Sequence, residues 1–228
     1  MPFVSFHFGL PQTDVIEAIK NAGIFIISSA TTVREAKFLE DRGVDAIIAQ
    51  GTEAGGHRGT FSGAAMGAQA GLMALLPQVV DAVKVPVIAA GGISDGRQVA
   101  AAFMLGASGV QLGTAFLRCE EANVLDAHRA ALRRAEDSST IVTDMITGRP
   151  ARYITNRLTN DLIASGLEPV SFPAQYSMIA PLGQTGDGEL TPLFAGQSVA
   201  MGRDTTAAEL VEALADSTSR RLRAFAPQ

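Results

Sequence analysis

The segment Ala49–Gly59 places a histidine among glycines directly after an apolar run. The run Ala46–Ile48 predicts a buried strand, and the residues that follow predict a loop at its end. Glycines there let the backbone approach a flat ligand, and a histidine can move a proton near neutral pH. His57 is therefore the candidate proton-transfer residue, and the nearby Glu53 either orients it or is a solvated loop carboxylate.

Two further strand ends carry glycines suited to a phosphate group. The apolar run Val85–Gly92 ends in Gly91 and Gly92, and the run Gly109–Phe116 contains Gln111–Thr114. Backbone N–H groups and a helix N-terminus can hold a phosphate dianion without a lysine. The alternative is that the paired glycines only make a tight turn. Two such ends, one β/α unit apart, favour phosphate binding.

Other residues with reactive side chains have weaker sequence signals. His7, near the end of the first apolar run, is either a pocket residue or a hydrogen-bonded core histidine. His128 lies on a predicted helix rich in arginine and is expected to face solvent. Cys119 is expected to pack, and Tyr176 is a weak candidate for a pocket aromatic. No group of Cys, His and carboxylate residues has the spacing of a metal site.

The elements that must position these residues alternate between strand and helix. Five near-continuous apolar runs predict strands buried on both faces: Phe3–Gly9, Ile24–Ala30, Ala46–Gly51, Val85–Gly92 and Gly109–Phe116. Segments with apolar residues three and four apart predict the helices between and after them: Thr13–Ala22, Thr32–Arg42, Leu72–Val83, Arg97–Leu105 and Ala122–Glu136. This alternation predicts an α/β fold of parallel β/α units. The insertion Thr52–Ala68 follows a strand end, where α/β barrels keep their chemistry.

The last third of the chain has a different pattern. Beyond Glu136 it predicts helices but no strong strand, and glycines and prolines interrupt it. Thr206 and Glu209 have the spacing of a capping box for a helix over Thr206–Asp216. We therefore expect two domains: residues 1–136 as the α/β part and residues 137–228 as a mostly helical extension packed on it.

Composition limits the class of partner. The net charge of −5 and the pI of about 5.2 argue against nucleic acid or an anionic membrane as the main partner. A single cysteine allows no internal disulfide, which fits a reducing compartment. The first residues lack a signal-peptide pattern, and no apolar stretch reaches the roughly 18 residues of a membrane span. These features predict a cytoplasmic protein.

The segments described above carry a family resemblance. Ser5–Pro11, Ala49–Gly59, Pro86–Arg97 and Gln111–Phe116 resemble the nitronate monooxygenases, once called 2-nitropropane dioxygenases. The similarity continues more weakly through Gly148–Arg152 and Leu193–Gln197. Members of this family are FMN-dependent (β/α)8 TIM barrels that oxidise alkyl nitronates with O2 to a carbonyl compound and nitrite. The resemblance therefore implies a flavoenzyme of that class, with FMN as its cofactor and a nitronate and O2 as its small-molecule partners.

The resemblance also implies roles for individual residues. His57 corresponds to the active-site histidine, and His7 to a histidine that faces the substrate pocket. The remaining positions correspond to flavin contacts: Gln50 and Gly55 beside the flavin, Gly91 and Gly92 at the phosphate, and Gln111, Leu112, Gly113 and Thr114 at the phosphate and ribityl chain. A neutral His57 would remove a proton α to a nitro group.

The chain differs from the family in its strand count. A (β/α)8 barrel has eight strands in typically about 250 residues. Aligned to the family, Phe3–Gly9 is strand four, so the five predicted strands correspond to strands 4–8 and the chain is N-terminally truncated relative to the family. The strands at Phe3–Gly9 and Gly109–Phe116 are then expected to be open edges, which favour aggregation or a homo-oligomer.

Two other functions remain open from the sequence. A related FMN barrel could instead catalyse NAD(P)H-dependent reduction of a quinone or an enoyl thioester, although the segment around His57 favours nitronate oxidation. The chain could also be a non-catalytic remnant, since three β/α units lack a counterpart.

Overall fold

Residues 2–63 and 65–225 are described by the computed structural model of the chain. Its strands are β1 Phe3–Phe6, β2 Phe25–Ala30, β3 Ala46–Gln50, β4 Gly56–His57, β5 Val87–Ala90, β6 Gly109–Gln111, β7 Thr140–Thr143 and β8 Ala151–Ile154. One sheet is parallel, in the order β1-β2-β3-β5-β6, and the other is antiparallel, in the order β4-β8-β7.

The parallel sheet aligns the carboxyl ends of three strands. Gln50 of β3 lies opposite Ala90 of β5, which in turn lies opposite Gln111 of β6. All five residues of β3 are buried, as expected of a central strand covered on both faces. The segments that follow these three strands therefore leave the sheet on the same side, at the carboxyl ends of the strands.

Eight α-helices complete the fold. They are α1 Thr13–Asn21, α2 Val33–Asp41, α3 Leu72–Ala82, α4 Gly96–Met104, α5 Asp126–Arg134, α6 Arg157–Ala164, α7 Ala174–Gly183 and α8 Ala207–Ala224 among the described residues. The predicted capping box at the start of α8 is confirmed, since the Thr206 side chain accepts from the backbone N–H of Glu209 and the Glu209 side chain accepts from that of Thr206. None of the helices within residues 2–63 and 65–225 has the length and apolar character needed to cross a membrane.

The five predicted strands and five predicted helices of the first half are confirmed. Several strands end earlier than their apolar runs do. β1 stops at Phe6 because Phe8 and Gly9 have φ of 67° and 92°. β5 stops at Ala90 because Gly91 and Gly92 have φ of 108° and 68°, in the left-handed region that favours glycine.

The chain divides into two compact units. The first comprises the chain up to Thr52, then Gly59–Gly91 and Gln98–Gln111. The second comprises Glu53–Arg58, Gly92–Arg97 and the chain from Leu112 onward. Residue 136 lies within the second unit, and the division into domains at that residue stays a prediction. The first unit contains the parallel sheet, and the second contains the antiparallel sheet.

Beyond Glu136, where the sequence predicts no strong strand, the structure has two short ones. β7 and β8 form an antiparallel pair in which Ile141 lies opposite Tyr153. Each strand has only four residues, and Arg152 interrupts the apolar pattern of β8. Their stability comes from pairing and burial, because every residue of β8 is buried and Tyr153 packs with Ile146 and Leu158. Such short strands leave little periodicity in the sequence.

In the first unit, a buried carboxylate anchors the segment that follows Ala49–Gly59, the histidine loop. Glu35, in the first turn of α2, accepts from the hydroxyl and the backbone N–H of Thr31, both at 2.7 Å. Its other oxygen accepts from the Thr60 hydroxyl and from the N–H groups of Phe61 and Ser62, at 2.8, 2.8 and 2.9 Å. Burial raises the pKa of Glu35, but these hydrogen bonds outweigh it and lower the pKa below its ordinary value.

Candidate active site

His57 is held by backbone pairing in the second unit. It is the second residue of β4, and it lies opposite Ala151 of β8. The N–H of the next residue, Arg58, donates to the carbonyl oxygen of Pro150 at 2.8 Å. The side chain of Arg58 is almost fully buried. These contacts fix the backbone on both sides of the imidazole.

Aromatic rings and one hydroxyl surround the half-buried imidazole of His57. The ring of Phe172 lies edge-on to it, with the centroids 5.5 Å apart, and the ring of Phe194 is 5.7 Å away. Nε2 of His57 is 2.9 Å from Oγ1 of Thr147. The imidazole is therefore oriented by a specific partner and flanked by apolar surface, as a residue that moves a proton requires.

In the first unit, Gln50, a predicted flavin contact, joins the two ends of the histidine loop by a hydrogen bond. Its Oε1 accepts from the N–H of Gly59 at 2.8 Å. A Cβ on Gly59 would lie 2.8 Å from Cε1 of His7 and 3.1 Å from Cβ of Ser29, so any other residue there would have to displace the His7 ring. His7 is exposed, which rules out the alternative of a core histidine. Its role at a substrate pocket stays a prediction.

The predicted flavin contact Gly55 is in close contact with another backbone segment. A Cβ on Gly55 would lie 2.5 Å from the backbone nitrogen of Gly196 and 2.6 Å from the carbonyl carbon of Ala195. The N–H of Gln197 donates to the carbonyl oxygen of Glu53 at 2.9 Å. Packing between two backbone segments therefore accounts for the glycine at position 55, and the flavin contact stays a prediction.

Gly91 and Gly92 both adopt the left-handed backbone that their prediction as a glycine turn requires. The Ser198 hydroxyl donates to the carbonyl oxygen of Gly92. A Cβ on Gly92 would lie 3.0 Å from Cβ of Glu53. The hydroxyl of Ser94 donates to the carbonyl oxygen of Ser198 at 3.4 Å. The turn after β5 is thus tied to the segment around Ser198.

The segment after β6 is tied to the same region of the chain. Thr114 begins a 3-10 turn, and its Oγ1 accepts from the N–H of Gly196 at 2.8 Å. Gly113 is exposed, with no atom within 4 Å of the place where its Cβ would lie. Gln111 is also exposed, whereas the side chain of Leu112 packs on an apolar cluster. The backbone at Gly113 therefore borders open space.

A buried cation lies next to the histidine strand. Arg152, in β8, is opposite Gly56 in the sheet and donates from Nη1 to the Thr140 hydroxyl at 3.1 Å. Burial lowers the pKa of Arg152, and the Glu53 carboxylate opposes this by favouring the charged form. The Glu53 carboxylate is therefore close enough to Arg152 to interact with its charge, and a role in orienting His57 stays a prediction.

The prediction that His128 faces solvent is wrong. Its side chain is half-buried on α5, and Nε2 is 3.0 Å from the carbonyl oxygen of Phe194. Burial lowers the pKa of His128, and this hydrogen bond partly offsets the effect. A carbonyl oxygen only accepts, so Nε2 carries a proton. His128 thus helps to position the segment that supplies a ring beside His57. Cys119 is buried as expected, with Ala115 and Leu210.

Four residues of this site are absent from the sequence-based candidates: Thr147, Phe172, Phe194 and Ser198. A hydroxyl directly before the segment Gly148–Arg152 is a signal that could have identified Thr147. Phe194 lies within a weakly matching segment, and Ser198 follows directly after it. Their contacts involve partners 90 or more residues away, which spacing along the chain does not reveal.

Comparison with known proteins identifies the family. Residues 1–217 match the family model of nitronate monooxygenase. The chain is 41% identical over 218 residues to a probable nitronate monooxygenase of Staphylococcus saprophyticus, covering 93% of this chain and 61% of that protein. It is 42% identical over 219 residues to a nitronate monooxygenase of Pseudomonas aeruginosa, covering 93% and 62%.

A solved structure shows the same similarity. The nitroalkane oxidase from Streptomyces ansochromogenes has 41% identity and a TM-score of 0.93, over 99% of this chain and 66% of that one. The chain thus spans about three fifths of the length of the curated relatives it matches. With a family model matched over most of its residues, the chain belongs to the nitronate monooxygenase family.

Proposed function

We propose that the protein is an FMN-dependent oxidoreductase that oxidises alkyl nitronates with O2 to a carbonyl compound and nitrite. The atoms balance when two nitronates share one O2. The single observation that carries this proposal is the arrangement at His57, where a hydroxyl orients the imidazole and two apolar rings flank it. It lies in the segment of the chain that matches the family.

The donor groups present fit the phosphate end of FMN. Gly91 and Gly92 have left-handed backbones, and Gly113 borders open space that a side chain would fill. Gly91, Gly92, Gln111, Leu112, Gly113 and Thr114 are proposed to hold the phosphate and ribityl chain, largely through backbone N–H groups. Gln50 and Gly55 are proposed to lie beside the flavin ring. When bound, FMN supplies the electron acceptor and the route to O2.

His57 is proposed to handle the proton. A neutral imidazole accepts the proton α to a nitro group, and the imidazolium that results stabilises the nitronate anion. The rings of Phe172 and Phe194 limit water around this charge, which strengthens the attraction. His7 is proposed to face the substrate. A preformed nitronate needs no proton abstraction, so it is oxidised without this step.

The proposed partners are therefore a small nitronate and O2. The net charge of −5 gives no support to nucleic acid as a partner. The free Cys119 is compatible with a reducing compartment, which supports the expectation that the protein acts in the cytoplasm. Association of copies through sheet edges is likewise a proposal.

The test is an assay of the whole protein with a preformed nitronate. We expect O2 uptake with release of nitrite, a yellow protein as purified, and FMN on acid release and chromatography. FAD in place of FMN would contradict the cofactor proposal. Absence of O2 uptake, together with reduction of a quinone or an enoyl thioester by NAD(P)H, would assign the protein to the related reductases instead.

A further inference from the structure

The hydroxyl of Thr147 has its single proton committed to a backbone carbonyl. Thr147 is buried, and its Oγ1 lies 3.0 Å from the carbonyl oxygen of Arg149. The carbonyl has no proton, so the hydroxyl must donate in this contact. Oγ1 also receives the N–H of Arg149 at 3.4 Å.

This commitment determines the direction of the contact with His57. A hydroxyl has one proton to donate and two lone pairs to accept with. With the proton directed to Arg149, Oγ1 can only accept from Nε2 of His57, 2.9 Å away. The reverse assignment would leave two oxygens 3.0 Å apart with no proton between them. Nε2 of His57 therefore carries a proton, and in the neutral ring the lone pair is on Nδ1.

We infer that Thr147 is a positioning residue that holds neutral His57 in its Nε2–H form, which makes Nδ1 the nitrogen that accepts the substrate proton. The assignment of Nδ1 to proton abstraction rests on the proposed function. The tautomer itself rests only on hydrogen bonds.

The residues around His57 and Thr147 hold the two side chains in contact. His57 is paired in β4 with Ala151 of β8, four residues beyond Thr147 in the chain. Turning the imidazole by half a rotation would place a carbon, Cε1, against Oγ1 and lose the hydrogen bond. The rings of Phe172 and Phe194 pack on His57 and restrict that rotation.

The buried hydroxyl of Tyr153 lies near that of Thr147. The side chain of Tyr153 is fully buried, and its hydroxyl makes no well-formed hydrogen bond in the described part of the chain. Burial raises the pKa of Tyr153 to about 12, and the nearby Thr147 partly offsets this. The phenol is therefore protonated at neutral pH. A protonated phenol both donates and accepts, so the direction of the His57 contact follows from the carbonyl of Arg149 and not from Tyr153.

Nitrogen-15 NMR of the histidine rings in the full chain tests the tautomer directly. The chain has three histidines, and His57→Asn identifies the signals of His57 by their loss. In the neutral ring we expect the proton on Nε2 in the native protein and in Thr147→Ser, which keeps the hydroxyl. In Thr147→Val, which keeps the shape but removes the acceptor, we expect the Nδ1–H form to appear.

Two results would overturn the inference. One is an Nδ1–H ring in the native protein, which decides the matter even where Thr147→Val fails to fold. The other is a folded Thr147→Val, judged by circular dichroism, whose His57 keeps the native tautomer. Neither result depends on the reaction, so a wrong tautomer is distinguishable from a wrong function.

Kinetics of the whole protein then test the consequence for Nδ1. We expect Thr147→Val to turn over a neutral nitroalkane on the order of 10- to 100-fold more slowly, part of the 10²–10⁴-fold contributed by a general base. The rate of Thr147→Val on the preformed nitronate should change far less. The rate of Thr147→Ser on the neutral nitroalkane should also stay closer to that of the native protein. Equal losses on both substrates would contradict the assignment of Nδ1.

Discussion

At the scale of single residues, the orientation and the apolar surroundings of the His57 imidazole come from residues outside its own loop. Thr147 supplies the hydrogen-bond acceptor, Phe172 and Phe194 supply the apolar flanks, and His128 holds the carbonyl of Phe194. The histidine and its glycines were predictable, because their types and their place after a strand indicate proton transfer beside a flat ligand. The partners were not, because a threonine or a phenylalanine carries no such signal without its neighbours.

Replacing His57 by asparagine tests its role in proton abstraction. We expect the whole protein to keep its flavin but to lose turnover of a neutral nitroalkane by about 10²–10⁴-fold, because the base is gone. Oxidation of the preformed nitronate should fall much less. Steady-state O2 uptake on both substrates measures the difference. Equal losses would assign His57 to anion binding, and unchanged rates would exclude it from the chemistry.

Replacing Gly113 by alanine tests the phosphate site. The added methyl group meets no atom within 4 Å, so the stability of the fold should change by less than about 0.5 kcal/mol. The methyl group would occupy space proposed for the ligand, so FMN affinity should fall about tenfold or more, equivalent to about 1.4 kcal/mol.

Gly67→Ala is the matched control, because its Cβ also meets open space. Fluorescence titration of the apoprotein with FMN measures the affinities. Equal affinities of Gly113→Ala and Gly67→Ala would place the phosphate elsewhere.

At the scale of elements, the strands that could be predicted from the sequence are those whose residues are buried one after another along the chain. β3 and its parallel neighbours are uninterrupted apolar runs, so period and length identify them. β4, β7 and β8 are two to four residues long, and β4 pairs with β8 nearly a hundred residues later. That pairing depends on long-range contacts, so no local pattern could have predicted it. The same holds for the contact of Gly55 with Gly196, since a glycine by itself does not tell which backbone lies against it.

Replacing Glu35 by glutamine tests the anchor between α2 and the segment after the histidine loop. The amide cannot accept from all five donors, so at neutral pH we expect a loss of about 1.5–3 kcal/mol in the free energy of unfolding.

The stabilisation of the fold by Glu35 should depend on pH. The pKa of Glu35 is lower in the folded state than in the unfolded state, so its stabilisation is present above the unfolded pKa of about 4.3. It is lost as the pH falls through the folded pKa. Thermal unfolding from neutral to acidic pH should therefore show the native protein and Glu35→Gln converging below about pH 4.3. Parallel curves would show that Glu35 does not titrate as described.

At the scale of the whole molecule, the parallel sheet ends at two strands with one neighbour each. Among the described residues, β1 pairs only with β2 and β6 pairs only with β5. Unpaired strand edges favour association with another chain. We therefore expect the 228-residue chain, studied alone, to form dimers or larger species. Size-exclusion chromatography with light scattering measures this directly.

A pair of lysine substitutions distinguishes strand pairing at the sheet edge from non-specific hydrophobic association. Phe3 on β1 and Met104 on α4 are similarly exposed, at 67% and 69%. Phe3→Lys should reduce the association because a charged side chain disfavours strand pairing at the edge, whereas Met104→Lys should not. A monomer in the native chain, or equal effects of the two variants, would contradict pairing through β1.

The pairing of β4 with β8 bears on whether this histidine can be transplanted. A protein engineer who grafted only Ala49–Gly59 into another scaffold would carry the glycines and the imidazole but leave the tautomer unset. The acceptor hydroxyl lies 90 residues further along, at the turn that leads into β8. The portable unit is therefore two pieces of chain, the loop with its short strand and the hairpin of β7 and β8. Their hydrogen bonding, rather than the local sequence, would have to be rebuilt in the new host.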